Sequence, residues 1–213
     1  QPQPIIMSDA LASNRPSVMT SLMSLCNSHG RRQFVDVINH FPDEVEHVLS
    51  RYGEIWKHEQ HAKAQQFTAT DRLAYHQQHS LPVMEEIKAW CETHLNNETV
   101  EENSGLGKAM RYFTKHYVGL SYFCHIEGVH LDNNLIEAML KIIVRDRKNA
   151  MFRKTLHGAT IGDIITSMIA TASEAGINVF EYFTLLQRER VKVKADPEQY
   201  LPWNYLDTIS EEK

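Results

Sequence analysis

Residues 131–152 read LDNNLIEAMLKIIVRDRKNAMF: asparagines around an aspartate, one glutamate at the head of an apolar run, then a burst of basic residues. Asp132 or Asn133 is a natural N-cap, because a short side-chain oxygen can accept a free N–H of the first helical turn. The helix that follows is predicted to turn Leu135, Met139, Ile142 and Ile143 to one side, while Asn134, Glu137, Lys141 and Arg145 share the other. Glu137 has two readings at this point. It is an exposed glutamate paired with Lys141 at i,i+4, worth roughly 0.2–0.5 kcal/mol, or a metal ligand held near a phosphate backbone.

The surrounding charge is uneven. Residues 141–154 carry Lys141, Arg145, Arg147, Lys148, Arg153 and Lys154 against Asp146 alone, inside a chain of net charge -5. A cationic segment in an acidic chain suits a phosphate-bearing partner such as nucleic acid, and a solvated helix face is the plainer alternative. The 213 residues, 42% hydrophobic and 23% charged, have the composition of a globular protein of one or two domains. With no apolar run near the ~18 residues of a membrane span, and no signal-peptide pattern in QPQPIIMSDA, the expected setting is cytoplasmic, with no membrane partner. Cys26, Cys91 and Cys124 are odd in number and lack any CxxC, so they read as free thiols in apolar surroundings.

Along the chain, PIIMSD reads as a short buried strand, and its position directly behind Gln1 suggests a cut through a larger protein. Pro16 and Ser17 are predicted to open a helix through SVMTSLMSL, and LCNSHGRRQFVDVI alternates briefly before turning helical. Residues 43–66 form a helix with Val45, Val48, Leu49, Tyr52, Ile55 and Trp56 on one face. A second helix follows Thr70 and Asp71, and another restarts after Ser80 with Pro82 in its first turn. After the polar loop 96–105, Leu106, Met110, Phe113, Tyr117 and Leu120 make one apolar stripe, with Lys108, Arg111 and Lys115 on another face. A later helix ends near Gly176, the next packs through Val179, Phe180, Phe183, Leu185 and Leu186, and the tail docks through Leu201, Trp203 and Tyr205. His58 and His61 stand three apart in HEQH and, with no third ligand nearby, read as a polar helix face.

Several blocks together carry a family resemblance. DNNLIEAMLKIIVRDRKNAMF resembles the DNNxxER…GRKNxxF signature of the insertion sequence family sixty-six transposases, a bacterial DDE group with a ribonuclease H-like catalytic fold. LCNSHGRRQFVDV resembles that family's CWAHxRRxF block, SGLGKAMRYFTKHYVGLSYF its SxLGKAxxYxxxxWxxLxxF block, and YLPWNY its C-terminal LLPW. The order is kept and the match runs over nearly the whole chain. At the glutamate motif this sequence departs from the pattern, with Ala138 where the family has arginine.

The resemblance implies an α/β architecture that is mostly α overall: a truncated ribonuclease H-like core with a large helical insertion and a helical C-terminal subdomain. Residues 1–42 would be the C-terminal portion of that core, 43–130 the insertion, 131–154 the glutamate helix with its basic segment, and 155–213 the C-terminal subdomain and tail. In this family three carboxylates bind two divalent ions. Asp9, in MSDAL, takes the place of the second aspartate and Glu137 that of the final glutamate, whereas the first aspartate has no counterpart, so the catalytic set is expected to be incomplete and the chain, as a fragment of the catalytic domain, weakly active or inactive. Two Mg2+ ions, with Mn2+ as a substitute, would serve DNA cleavage and strand transfer in transposition. Hard magnesium calls for such oxygen ligands.

The same resemblance places His29, Arg31 and Arg32 near the active site or the DNA backbone, and Arg147, Lys148 and Asn149 on phosphates. Asn134, Lys141 and Arg145, on the polar face with Glu137, complete the expected DNA-binding set. The implied partners are transposon ends, target DNA and further copies of the chain in a homo-oligomer. The alternative function is a non-catalytic DNA-binding or interaction remnant that regulates an intact transposase.

Overall fold

The computed structural model describes residues 3–14, 16, 20–150 and 152–205. Two compact units divide the chain, Gln1–Asn134 and Leu135–Lys213.

The first unit opens with strand β1 (Ile5–Ser8), a strand as predicted but not a buried one, since Ile5 is 42% exposed and only Ser8 is buried; a 3-10 turn (Ala12–Asn14) and strand β2 (Leu22–Leu25) follow. The strands pair in parallel with Ile5 opposite Leu22 and Ser8 opposite Leu25. The helix expected over 17–25 is therefore replaced at 22–25 by a strand, while 17–19 lie outside the described residues. Leucine and methionine favour helix only weakly, and a ladder with β1 satisfies this backbone instead. Four helices follow: α1 (Asn27–Val35), α2 (Pro42–Ala64), α3 (Ala69–Asn96) and α4 (Gly105–Ser121).

α2 and α3 make an antiparallel hairpin, with Arg51 reaching Glu86 near one end and Glu59 reaching His76 near the other. α3 is continuous, capped by the Thr68 side chain, with Pro82 in its interior rather than in the first turn of a new helix. Ser80 does not act as a cap because its hydroxyl lies 2.8 Å from His76 Nδ1 and 3.1 Å from His58 Nδ1. Pro82 removes one N–H from the ladder, and Gln78, whose carbonyl would have accepted it, is exposed to water.

The core of this unit is the meeting of those apolar stripes. Phe34 of α1, Val48, Tyr52 and Ile55 of α2, Met84 and Ile87 of α3, and Leu106, Met110 and Phe113 of α4 are fully buried. All three cysteines are buried and free, as expected, and burial pushes the Cys91 and Cys124 thiols up to about 12. Asn27 ties the β2–α1 junction to the rest, its amide donating to the Leu120 and Leu131 carbonyls at 2.9 and 3.2 Å. Gly119 lets α4 approach β2: a Cβ there would lie 2.8 Å from Leu25 Cγ.

The second unit contains nearly all of α5 (Asn134–Ala150), then α6 (Leu156–Glu174), α7 (Val179–Arg188) and α8 (Arg190–Ala195). Its small core gathers Ala172, Ile177, Tyr182, Leu185, Tyr200 and Tyr205. Here two expectations are corrected. Phe180 is 81% exposed and Tyr182 takes the buried position, its hydroxyl donating to the Tyr200 carbonyl at 2.7 Å. Trp203 is likewise exposed, and the tail is held by Tyr200 and Tyr205. Among the described residues no helix is long and apolar enough to cross a membrane.

Three helix ends use the same device; after α3, Glu98 has φ 53, with Thr99 N–H on His94 O at 3.2 Å. After α6, Gly176 has φ +70, its N–H reaches Ser173 O, and Ile177 N–H reaches Ala172 O at 2.9 Å. After α2, Gln66 has φ 52, with Phe67 N–H on Ala62 O at 3.1 Å. All three are Schellman closures. Because a side chain in the left-handed region costs about 1–2 kcal/mol, Gly176→Ala is expected to destabilise by that amount and Gln66→Gly to stabilise by up to about 1 kcal/mol. Urea denaturation of the two variants reads both signs.

Candidate functional site

Asp9 directly follows β1, at the carboxyl end of the parallel pair, where ligands commonly bind in α/β sheets. Its Oδ1 accepts the Leu11 N–H at 3.1 Å and the Asn14 side-chain amide at 2.6 Å. Those two bonds orient the carboxylate, and Oδ2 has no partner among the described residues. Asp9 lines a cleft of about 420 Å³ together with Gln3, Ser21, Lys115, His116 and Tyr122. Close by, burial raises the Tyr112 phenol above its ordinary range; the Asp9 charge adds to this, and the Ala10 amide opposes it. Sequence reasoning misses Lys115 and His116 as neighbours of Asp9. It puts position 115 on the solvent face of α4 and gives no sign of β2, against which α4 packs.

A hard divalent ion takes oxygen ligands, and magnesium commonly keeps waters beside one or two carboxylates and substrate phosphates. Asp9, oriented and with one oxygen uncommitted, suits one position in such a set. The buried thiols do not.

The basic block lies on α1. Arg31 and Arg32 are exposed and His29 is half-buried. The two arginines line a groove of about 610 Å³ with Ser28, Gly53, Trp56 and Asn134. Among the described residues neither arginine forms an ion pair. Trp56, on the apolar face of α2, is half-buried: it packs against the core as that face implies and also walls this groove. Asp132 serves two partners: Oδ1 accepts the Asn134 N–H at 3.1 Å, and Oδ2 accepts the Trp56 indole N–H at 3.3 Å.

In the second unit Glu137 stands half-buried in the first turn of α5. Lys141, Arg145, Arg147, Lys148 and Asn149 are all exposed farther along that helix. Met139 and Ile142 of its apolar side are half-buried, whereas Leu135 and Ile143 are 60% and 46% exposed.

A polar cluster that sequence reasoning missed lies between α2 and α3. Glu59 is 5% exposed, and its Oε2 accepts from Arg72 Nε at 2.9 Å and from His76 Nε2 at 2.8 Å, with Arg72 Nη2 in ion-pair contact at 2.8 Å. Lys63 stands 3.3 Å from the other oxygen, and Arg72 also donates to the Val129 carbonyl. Burial by itself raises the Glu59 pKa, but the hydrogen bonds and positive charges outweigh it and hold the carboxyl at about 2. The signal was present in the spacing. Glu59 continues the 4-3-4-3 stripe of Val48, Tyr52, Ile55 and Ala62, and Arg72, His76 and Ser80 recur every fourth residue on one face of α3. His58 joins this cluster through Ser80, and His61 stacks on Tyr75 at 5.2 Å.

Comparison with known proteins adds an independent finding. The family model described as Transposase IS66 family matches residues 3–161. Among curated proteins, the chain is 29% identical over 188 residues to the uncharacterized protein y4jD of Sinorhizobium fredii (strain NBRC 101917 / NGR234), covering 86% of this chain and 36% of that protein. From the same organism, the uncharacterized protein y4qI is 21% identical over 183 residues, 84% of this chain and 33% of the relative. The chain spans about a third of the length of the curated relatives it matches. No solved structure matches it.

Proposed function

The chain belongs to the IS66 family of transposases, and from that premise we propose that it supplies Asp9 and Glu137 to the metal-dependent cleavage and strand transfer of DNA in transposition. The observation that carries this reading is the setting of Asp9: at the carboxyl end of the parallel pair, held through one oxygen, on the wall of a cleft. Glu137 is the second carboxylate, on a helix whose later turns bear Lys141, Arg145, Arg147 and Lys148. In this proposal the core around β1 and β2 is ribonuclease H-like.

Magnesium, or manganese in its place, would supply a polarised nucleophile and charge stabilisation at the leaving oxygen of an in-line displacement. The chain's own part is to hold and orient. Asp9 and Glu137 present oxygen ligands, Arg31, Arg32 and the α5 cations neutralise phosphates, and His29, Asn134 and Asn149 donate hydrogen bonds to the backbone of the strand. Further copies of the chain would bring the two transposon ends together.

A second reading, a DNA-binding remnant without cleavage, is favoured by one feature. Lys115 lines the cleft with Asp9 and puts a positive charge where a metal site needs negative field. Incubation of the chain with supercoiled plasmid, with and without Mg2+ or Mn2+, separates the two. Because the first catalytic carboxylate has no counterpart in this chain, weak nicking that requires the metal is the expected result; binding without any metal-dependent nicking selects the remnant. In either case affinity should fall steeply with salt, by about 0.9 in log–log slope for each phosphate neutralised. A salt-independent affinity would contradict the phosphate contacts.

A further inference from the structure

The groove between α1 and α2 has a shape that phosphate neutralisation alone does not require. Leu49, Gly53 and Trp56 lie on one face of α2, with the glycine between two apolar side chains. Glycine in a helix interior weakens the helix, so a reason for it is needed. Packing gives none, because a Cβ at Gly53 would meet nothing within 4 Å. What the missing side chain leaves is the space beside Trp56. The indole is held in place, its N–H on Asp132 at 3.3 Å and its ring 5.6 Å from that of the fully buried Tyr52.

Charge says what such a space suits. Arg31 and Arg32 stand on its rim, and no carboxylate is among the described lining residues. A cationic rim and a fixed aromatic wall are complementary to a phosphate joined to a planar base. A volume of about 610 Å³ admits a nucleotide, while a duplex is too wide to enter. We infer that this groove holds one unpaired nucleotide of a DNA strand, its base against Trp56 and its phosphate against Arg31 and Arg32. The inference rests on the DNA-binding reading above and adds to it a preference for duplex carrying a single-stranded tail.

The test compares the chain's affinity for a blunt duplex and for the same duplex with a short tail containing a fluorescent adenine analogue. The tail is expected to strengthen binding by about 5- to 150-fold, the range for stacking one base on an aromatic side chain, and to quench the analogue. Trp56→Ala should remove the preference and the quenching while leaving blunt-duplex affinity unchanged, and Trp56→Phe should retain part of both. Gly53→Leu should also abolish the preference while melting at an equal or higher temperature, because a Cβ there meets nothing within 4 Å and leucine improves the helix. Equal affinity for the two probes, with no effect of these variants, would overturn the inference and leave the DNA reading standing. Failure of both probes to bind at low salt would remove that reading as well. Displacement of the tail by an equal concentration of a nucleoside monophosphate would assign the groove to a free nucleotide and overturn the strand assignment.

Discussion

Glu59→Ala is expected to destabilise the first unit by about 3–5 kcal/mol, the cost of breaking a buried ion pair from one side. The loss comes from the partners left behind. Arg72 is 16% exposed and His76 wholly buried, so neither can recover in water the bonds at 2.8–2.9 Å that it loses. Urea denaturation measures it, and a loss below about 1 kcal/mol, the level of an exposed pair, would show that the cluster is solvated. Glu59 also carries a pH dependence of definite sign. Its carboxyl titrates at about 2 in the folded chain against 4.5 ordinarily, so the unfolded chain binds the proton more readily. Stability from this group is therefore complete above the unfolded value and is lost as pH falls from there through about 2, amounting to about 3 kcal/mol. Glu59→Gln should flatten the stability profile across that window and leave it unchanged near neutrality in shape, though not in level.

Asp9→Asn and Glu137→Gln are each expected to lower the weak metal-dependent nicking of this chain by more than about 100-fold, since even groups that only support a metal ligand are worth about 10- to 100-fold. Both substitutions keep size and remove charge. The amide introduced by Asp9→Asn would retain a carbonyl oxygen for the Leu11 and Asn14 hydrogen bonds, so the melting temperature should not move. DNA affinity should persist or rise, because a negative charge has been taken away from a phosphate-binding surface. Nicking that survives both substitutions would remove the two carboxylates from the chemistry.

Much of the helical part is legible in the sequence because its stripes are long and regular. Leu106, Met110, Phe113 and Leu120 are buried as their spacing implies, and Ser104 caps α4 by accepting the Gly107 N–H. Gly176 closes α6 in the same predictable manner. The failures have a common physical origin in partners distant along the chain. Residues 22–25 become a strand only because β1 lies alongside, and Ser80 loses its capping role to His76 and His58. In the candidate site, Asp9 and the basic block on α1 are reached only through motif resemblance, since a four-residue strand carries little periodic signal. Trp56 packs against the core as its apolar face implies, and that face gives no sign that it also walls a groove. Lys115 and His116 can be placed beside Asp9 only once α4 is known to pack against β2.

The shared role of Asp9 and Glu137 is tested most directly by a crystal structure of this chain with a DNA duplex and Mn2+, the metal located by its anomalous signal. The account predicts manganese bound by oxygen from both residues, with the two carboxylates within roughly 8 Å of each other, the separation that metal–oxygen bonds of about 2 Å and a metal pair about 3.5–4 Å apart allow. Manganese held by only one of them, or the two carboxylates on opposite sides of the bound DNA, would contradict it.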